Sequence, residues 1–265
     1  MANYKHHDER FNNIIFGEPG YESQTESYNR LKDNILYLNV DGNTKVIQVL
    51  SSIPSEGKTI TATNLAVSLA NNDKKVIVVD ADMRSPKTHR TLKASNEVGI
   101  ADYLLKDAPL DKIIQHTSYG VDLISRGNKV ENPSAAVASD KFKSLVMTVR
   151  DMYDYVIIDC PPVLEISDYI HISTVSDGVI LCVANAYTKK GQVKETTKLL
   201  KQSNIRVLGV VYTFVDRKNA AYGYGKKYGY GYGYGYGYGY GSYGRNSIED
   251  KETSSEDKET PKEDK

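Results

Sequence analysis

The segment from Ser52 to Thr59 combines the residue types that hold a phosphate group. It follows an apolar run at residues 45–52 and opens a run of helical periodicity, which is the context that a Walker A loop requires. Amide groups at a helix N-terminus and the helix dipole attract anions, and Gly57 lets the backbone approach them closely. Lys58 is a compact cation for the β- and γ-phosphates, and the Thr59 hydroxyl can bind Mg²⁺. The predicted nucleotide contacts are Ser55, Glu56, Gly57, Lys58, Thr59 and Ile60.

This loop departs from the usual pattern, because Ser52 stands where a first glycine is expected. The alternative is a plain turn between strand and helix, with Lys58 as a solvated residue of the first helical turn. A cation at a helix N-terminus opposes the helix dipole unless an anion is bound there. The sequence therefore favours a nucleotide site over the plain turn, with ATP and Mg²⁺ as its ligands.

Two further apolar runs end in acidic residues, Asp80 and Asp82 after the first and Asp159 after the second. A single acid after a strand is more often a helix N-cap or a turn residue, but three acids beside a phosphate loop favour a metal site. Arg84 has three open interpretations: it contacts phosphate, pairs with an acidic residue, or is solvated. The predicted metal ligands are Thr59, Asp82 and Asp159, and the predicted catalytic residues are Lys58, Asp82 and the base Asp80.

Strand and helix signals alternate along the middle of the chain. Apolar runs predict strands at 45–52, 75–80, 121–125, 155–159, 178–184 and 207–214. Helical spacing predicts helices at 24–39, 58–70, 109–115, 134–152 and 190–202. Continuous apolar strands separated by helices indicate an α/β fold: a P-loop NTPase-like, mostly parallel sheet with helices on both faces. Such sheets bind ligands beyond the carboxyl ends of their strands.

Composition limits the classes of function. The 265 residues include 34 basic and 34 acidic side chains, which suits one domain with tails and lacks the basic excess of nucleic-acid binders. We predict a flexible N-terminus at 1–20, a phosphate-binding domain at 21–216 and a disordered tail at 217–265. Neither a signal peptide nor an apolar run of roughly 20 residues is visible. Cys160 and Cys182 lie in apolar runs and predict buried reduced thiols, as in a cytoplasmic protein.

The tail contains a cluster of tyrosines that mostly alternate with glycine. Its members are Tyr222, Tyr224, Tyr228, Tyr230, Tyr232, Tyr234, Tyr236, Tyr238, Tyr240 and Tyr243. Glycine weakens strands, so a low-complexity flexible segment is favoured over a strand with one aromatic face. We predict phosphoacceptors, and the alternatives are an inert or self-associating aromatic tail. A phenol has a pKa of ~10, so a carboxylate that accepts its proton would assist phosphoryl transfer.

Together these motifs resemble the bacterial tyrosine kinases of capsule and exopolysaccharide operons, of the Gram-positive type whose kinase domain is a separate cytoplasmic protein. The resemblance rests on residues 54–59, 80–86, 99–104, 155–162 and 208–211 and on the tyrosine tail. It implies transfer of the ATP γ-phosphate in trans to tail tyrosines, within a homo-oligomeric ring. It also implies activation by a membrane adaptor of the polysaccharide co-polymerase type, a cognate tyrosine phosphatase, and control of polysaccharide synthesis and export.

Two positions depart from the pattern of this family. The ring motif on its N-terminal helix is Glu-x-x-Arg-x-x-Arg, and this chain has Glu26, Asn29 and Lys32 there. Lysine keeps a charge without the bidentate fork of arginine, and asparagine has no charge. After residues 209–211 the family often has an asparagine near the adenine, whereas Tyr212 and Thr213 follow here.

Two competing hypotheses remain at this point. The first is a nucleotide-switched ATPase of the partition and division-site type, which typically carries an extra lysine early in its loop where this chain has Ile53. That class also usually lacks a Tyr-Gly tail. The second is a nucleotide-binding scaffold without turnover. The tyrosine tail favours the kinase over both.

Overall fold

The computed structural model describes residues 13–215, which build one sheet of seven strands. The strands are β1 (Val46–Ser51), β2 (Val76–Asp80), β3 (Gln115–His116), β4 (Asp122–Ile124), β5 (Tyr155–Asp159), β6 (Gly178–Ala184) and β7 (Val207–Thr213). Their order is β3-β4-β2-β5-β1-β6-β7, and only the short β3 runs antiparallel to its neighbour. The predicted mostly parallel α/β sheet is thus confirmed. The predicted tail and its tyrosines lie outside the described residues.

Helices cover both faces of this sheet. They are α1 (Glu22–Leu38), α2 (Lys58–Ala70), α3 (Thr88–Thr91), α4 (Ile100–Lys106), α5 (Leu110–Ile113), α6 (Pro133–Ala138), α7 (Asp140–Met152), α8 (Asp168–Ser173) and α9 (Lys190–Gln202). One core packs α1 and α2 against the sheet, and the other packs α4 to α9 against the opposite face. Both faces are therefore apolar, which is why β1, β2, β5 and β6 consist of buried residues throughout.

The connection out of β1 determines where a ligand can bind. The chain leaves β1 through residues 52–57 into α2 and then enters β2, while β6 lies on the other side of β1. The order of strands thus reverses at β1. Parallel sheets bind ligands beyond the carboxyl ends of the strands at such a reversal. The fold therefore places the predicted phosphate loop in the crevice where a ligand is expected.

Several element bounds agree with the sequence prediction, and others differ. The helix predicted at 134–152 is two helices, because Ser139 adopts an extended conformation and its Oγ accepts a hydrogen bond from the Phe142 amide. Helices α3, α4 and α8 and strand β3 were not predicted, since each is short and shows little periodicity. The structure keeps α2, β5, β6 and α9 with the predicted bounds.

The described end of the segment predicted as a flexible N-terminus, residues 13–20, contains buried residues. Ile14 and Ile15 are buried, and Ile14 belongs to the core beneath α1 and α2. The amide of Ile15 donates a hydrogen bond to Oδ1 of the buried Asn64 at 3.0 Å. Two isolated apolar residues form no periodic pattern, so their burial could not be inferred from sequence.

Two further expectations concern the membrane and the thiols. Among residues 13–215 the structure contains no helix that combines the length and the apolarity needed to cross a bilayer. Cys160 and Cys182 are both unpaired by disulfide and fully buried, as predicted. Burial raises the pKa of the Cys182 thiol to about 12, so this group is chemically inert at neutral pH.

Candidate active site

The phosphate loop is the turn between β1 and α2. Ser55 and Gly57 have positive φ values of 63° and 82°, and the helix begins at Lys58. An added Cβ at Gly57 would lie 3.3 Å from Cγ2 of Thr213, so both the backbone conformation and the limited space favour glycine. Lys58 is buried at 8% exposure although it carries an amino group. Thr59 and Ile60 complete the first turn of α2, as the sequence prediction required.

Glu56 has a different role from the one its place in the loop suggests. Its side chain is fully buried and Oε2 accepts a hydrogen bond from the Ile53 amide at 2.7 Å. Oε1 accepts from the hydroxyl of Thr188, in the loop after β6, and from the Ala184 amide at 3.4 Å. The carboxyl group therefore faces the protein and braces the loop. Only the Glu56 backbone remains for the predicted nucleotide contact.

The end of β7 supports the same loop from another side. Thr213 donates a hydrogen bond from its hydroxyl to the Glu56 carbonyl oxygen at 2.9 Å. The neighbouring Phe214 ring lies within 3.6 Å of the position of a Cβ at Gly57. The phosphate loop is consequently held by the carboxyl ends of two strands, β6 and β7, that follow it far along the chain. No pattern of residues along the chain indicates this bracing.

Two of the predicted acids are paired across neighbouring strands. Asp80 and Asp159 are direct partners in the register of β2 and β5, and both are buried. Asp80 Oδ2 accepts hydrogen bonds from the Thr88 hydroxyl and from the amides of Lys87 and Thr88. Burial, and then repulsion between the two carboxylates, raises the pKa of Asp80. Burial also raises the pKa of Asp159, although the nearby Lys58 opposes this change.

Thr59 and Asp82 complete the predicted site. The Thr59 hydroxyl donates to Asp159 Oδ2 at 2.6 Å, so the predicted metal ligands from α2 and β5 are in direct contact. Asp82 lies on the loop after β2, is half-buried, and accepts a hydrogen bond from the Ser85 amide at 3.0 Å. Its negative charge raises the pKa of both Asp80 and Asp159. Among residues 13–215 no three acidic, histidine or cysteine side chains form a ready-made metal cluster.

Three polar atoms at this site have no partner within the described protein. They are Ser52 Oγ, Asp80 Oδ1 and Asp159 Oδ1, and all three are buried. Buried polar atoms normally form hydrogen bonds, and exceptions concentrate where a ligand, ion or water binds. Carboxylate and hydroxyl oxygens are the donors that Mg²⁺ prefers. The residues present therefore fit a magnesium nucleotide.

Arg84 pairs with an acidic residue, one of its three predicted interpretations. Its Nη1 donates to Oδ2 of Asp168 at 2.5 Å, and its Nη2 donates to Oγ of Ser134 at 2.8 Å. The Ser134 hydroxyl in turn donates to Asp168 Oδ1 at 2.6 Å. Asp168 is fully buried in the first turn of α8. The sequence analysis missed Asp168 and Ser134, whose only local signal is a polar residue at the start of a short helix.

Comparisons with known proteins agree with this geometry. The family model described as AAA domain matches residues 44–208, more than half of the chain. Tyrosine-protein kinase YwqD of Bacillus subtilis (strain 168) is 31% identical over 214 residues, covering 80% of this chain and 90% of that protein. Tyrosine-protein kinase etk of Escherichia coli (strain K12) is 32% identical over 206 residues, covering 77% of this chain and 28% of that longer protein.

Among solved structures, the chain is again similar to a bacterial tyrosine kinase. The kinase domain of Escherichia coli tyrosine kinase ETK matches with a TM-score of 0.71 and 27% identity, covering 83% of this chain and 84% of that one. The septum site-determining protein MinD of Pyrococcus horikoshii OT3, complexed with Mg-ADP, matches at a TM-score of 0.56 and 21% identity, covering 67% and 76%. The competing division-site hypothesis therefore has support in the fold alone. The chain belongs to the AAA domain family and, within it, to the bacterial tyrosine-protein kinases.

Proposed function

We propose that this protein is an ATP-dependent tyrosine autokinase that phosphorylates the tyrosine cluster at residues 222–243. The proposal rests on one observation: Lys58 and Thr59 of the phosphate loop lie beside the paired strand-end acids Asp80 and Asp159. That combination provides both a cradle for phosphate and oxygen ligands for its cation. The tyrosine-rich tail supplies acceptors on the same chain.

Each group of residues in the site has its own role in phosphoryl transfer. Amides of the loop and Lys58 bind the phosphates of ATP, and Thr59, Asp82 and Asp159 hold the magnesium ion. Mg²⁺, when bound, neutralises charge on the phosphates. Asp80 Oδ1, which has no partner among the described residues, accepts the phenol proton. Because its pKa is raised by burial, Asp80 is a stronger base than an ordinary aspartate.

The reaction balances with these groups alone. The phenol oxygen forms a bond to the γ-phosphorus, and the bond from that phosphorus to the β,γ-bridging oxygen breaks. ADP leaves with the electron pair of the broken bond, and the phenol proton passes to Asp80. Each phosphate adds about −1.5 to −2 charges to a tail segment that is otherwise rich in glycine and tyrosine. Repeated phosphorylation would therefore make tails repel one another.

Assembly and partners follow from the same proposal. We assign the protein to the cytoplasmic side of a membrane, bound there by an adaptor of the polysaccharide co-polymerase type. A cognate phosphatase resets the tail, and the cycle regulates capsular or exopolysaccharide synthesis and export. The E. coli relative is much longer than its matching region, so these roles of whole proteins are transferred to this chain as proposals.

The α1 helix is the part of the structure most relevant to a homo-oligomer. Asn29, at the first arginine position of the ring motif, accepts a hydrogen bond from Ser68 of α2 at 3.0 Å and thus faces its own domain. Glu26 pairs with Arg30, and both side chains are more than half exposed. We propose that Glu26 and Arg30 supply the polar contacts between subunits, because Lys32 pairs with Asp33 and only 14% of its side chain is exposed. Light scattering of a Glu26→Ala, Arg30→Ala variant should show smaller assemblies than the unaltered protein.

A mixing experiment tests the kinase proposal. Lys58→Met removes catalysis and keeps the acceptors, whereas replacement of the ten cluster tyrosines by phenylalanine keeps catalysis and removes the acceptors. Each variant alone, with Mg-ATP carrying labelled γ-phosphate and the cytoplasmic part of the adaptor, should give little label. The mixture should label the tail of the Lys58→Met chain, which would demonstrate transfer in trans.

Other outcomes assign other functions. Free phosphate without labelled protein would favour the switch ATPase, and absence of both would favour the scaffold. Undiminished label in Lys58→Met would contradict the assignment of the phosphate loop. Circular dichroism of both variants, and calorimetric binding of Mg-ADP to the phenylalanine variant, exclude loss of fold as the cause of a negative result.

A further inference from the structure

The three carboxylates at this edge of the sheet are not held in place in the same way. Asp80 and Asp159 are fixed by the register of β2 and β5, but Asp82 lies on the loop that follows β2. Asp82 adds a third carboxylate to this edge of the sheet, two residues after Asp80. Repulsion among like charges would push the Asp82 loop outward before a cation arrives. Metal binding by Asp82 therefore requires that this loop be held near the other two acids.

The contacts of Arg84 meet that requirement. Arg84 stands two residues after Asp82 on the same loop, while Asp168 follows Asp159 along the chain and opens α8. The arginine donates one hydrogen bond to Asp168 and a second to Ser134, and Ser134 donates to the other oxygen of Asp168. The three side chains thus form a closed ring that joins the segment after β2 to the segment after β5. A planar guanidinium with two such bonds fixes direction as well as distance.

We propose that Asp168 is a positioning residue of the kinase site, which acts through Arg84 to hold Asp82 for metal binding. The inference rests on the proposed function, because it takes the three acids as the magnesium site. Asp168 suits this role because it is fully buried and has no solvent to compete for its oxygens. The Arg84 side chain is one third exposed, so the pair is shielded from solvent on the Asp168 side. Partners of metal ligands typically change metal affinity or activity by about 10–100-fold when replaced.

The first measurement needs no catalytic activity. Hydrogen exchange of the nucleotide-free, metal-free protein, followed by mass spectrometry, reports how firmly residues 81–88 are held. Arg84→Ala should make peptides from this segment exchange faster, while peptides from β1 and β6 stay unchanged. Arg90→Ala is the matched control, because Arg90 is an exposed arginine on the neighbouring α3 and takes part in no contact of the ring. Equal exchange in Arg84→Ala and the unaltered protein would overturn the inference.

The second measurement separates metal binding from nucleotide binding. A fluorescent ADP analogue is titrated at several Mg²⁺ concentrations and, separately, in EDTA. Arg84→Ala and Asp168→Asn should each raise the half-saturating Mg²⁺ concentration about tenfold, with affinity in EDTA within about twofold of the unaltered protein. Arg84→Lys keeps the charge but loses the planar guanidinium, so its half-saturating Mg²⁺ concentration should lie between those of the unaltered protein and Arg84→Ala. A general loss of structure would instead weaken binding in both conditions.

A double variant at Arg84 and Asp168 tests whether Asp168 acts through Arg84. If Asp168 acts through Arg84, the double variant should be no worse than the poorer single variant, since both remove one interaction. Losses that multiply in the double variant would show independent roles and reject the proposal. If Asp168→Asn fails to fold, Arg84→Ala and Arg84→Lys carry the test. An unaltered protein that binds no magnesium nucleotide would reject the proposed function, while the exchange measurement would still decide whether the ring holds the loop.

Discussion

Replacement of Glu56 by alanine should destabilise the protein more than its place in an outer loop suggests. In the folded protein the Ile53 amide and the Thr188 hydroxyl both donate to the Glu56 carboxyl group, which is fully buried. Alanine leaves these two donors without an acceptor. The Ala184 amide is less affected, since it also donates to Thr188 Oγ1 at 3.0 Å.

The expected magnitude follows from the number of donors. A buried donor that loses its acceptor costs about 1–3 kcal/mol, so Glu56→Ala should lower the free energy of unfolding by about 2–6 kcal/mol. Domains are typically stable by about 5–15 kcal/mol, so this is a large share. Glutamine can turn its oxygen to Ile53 and its amino group to Thr188 Oγ1. Glu56→Gln should therefore cost only about 1–3 kcal/mol, for the hydroxyl proton that lost its acceptor.

Urea denaturation monitored by circular dichroism measures these differences, with Glu165→Ala as the control. Glu165 is exposed and should change the free energy of unfolding by no more than about 0.5 kcal/mol. Because Glu56 braces the loop, its replacement by alanine should also weaken ADP binding, whereas Glu165→Ala should not. A Glu56→Ala protein that matches the Glu165→Ala control in stability would refute the bracing role.

Further predictions concern the glycine of the loop and the paired acids. Gly57→Ala should lower the free energy of unfolding by about 1–2 kcal/mol because of the positive φ, and by more because the new Cβ would press on Thr213. Gly42 has a similar φ but open space around it, so Gly42→Ala should lower the free energy of unfolding by only about 1–2 kcal/mol. In EDTA the free energy of unfolding should fall as pH rises from the ordinary aspartate pKa of 3.8 through the raised pKa values of Asp80 and Asp159. The sign follows because the folded state holds protons that the unfolded chain has released. Asp80→Asn should reduce this slope, measured by urea denaturation between pH 5 and pH 8, and abolish tail labelling.

These two predictions can also fail separately. Equal destabilisation by Gly57→Ala and Gly42→Ala would show that the Thr213 contact yields without cost. An unchanged pH slope in Asp80→Asn would show that the buried acids do not exchange protons in this range, and would remove the argument that Asp80 is a strengthened base.

The sequence predicts elements whose physical signal is local. Helix α2 has apolar residues at helical spacing, strands β5 and β6 are mostly apolar runs, and Gly57, Lys58 and Thr59 carry their chemistry in one short segment. Their bounds and neighbours could therefore be predicted from the residues alone.

The missed features depend on contacts between residues far apart in the chain. Glu56 is a predicted nucleotide contact, but its side chain faces inward and accepts a hydrogen bond from Thr188, which lies 132 residues later. Asp168 meets Arg84 across 84 residues, and Asn29 meets Ser68 across 39. No periodicity or spacing encodes such pairs, since they exist only once the sheet has brought its strands together.

The two edges of the described sheet have unequal consequences for self-association. Strand β3 has two residues, whereas β7 has seven and pairs only with β6 among the strands described. An open edge can template pairing with a strand of another molecule, and a two-residue strand offers almost no template. Growth by strand addition would therefore join two copies through their β7 strands and then end, because residues 13–215 of each copy present no second usable edge for fibre extension.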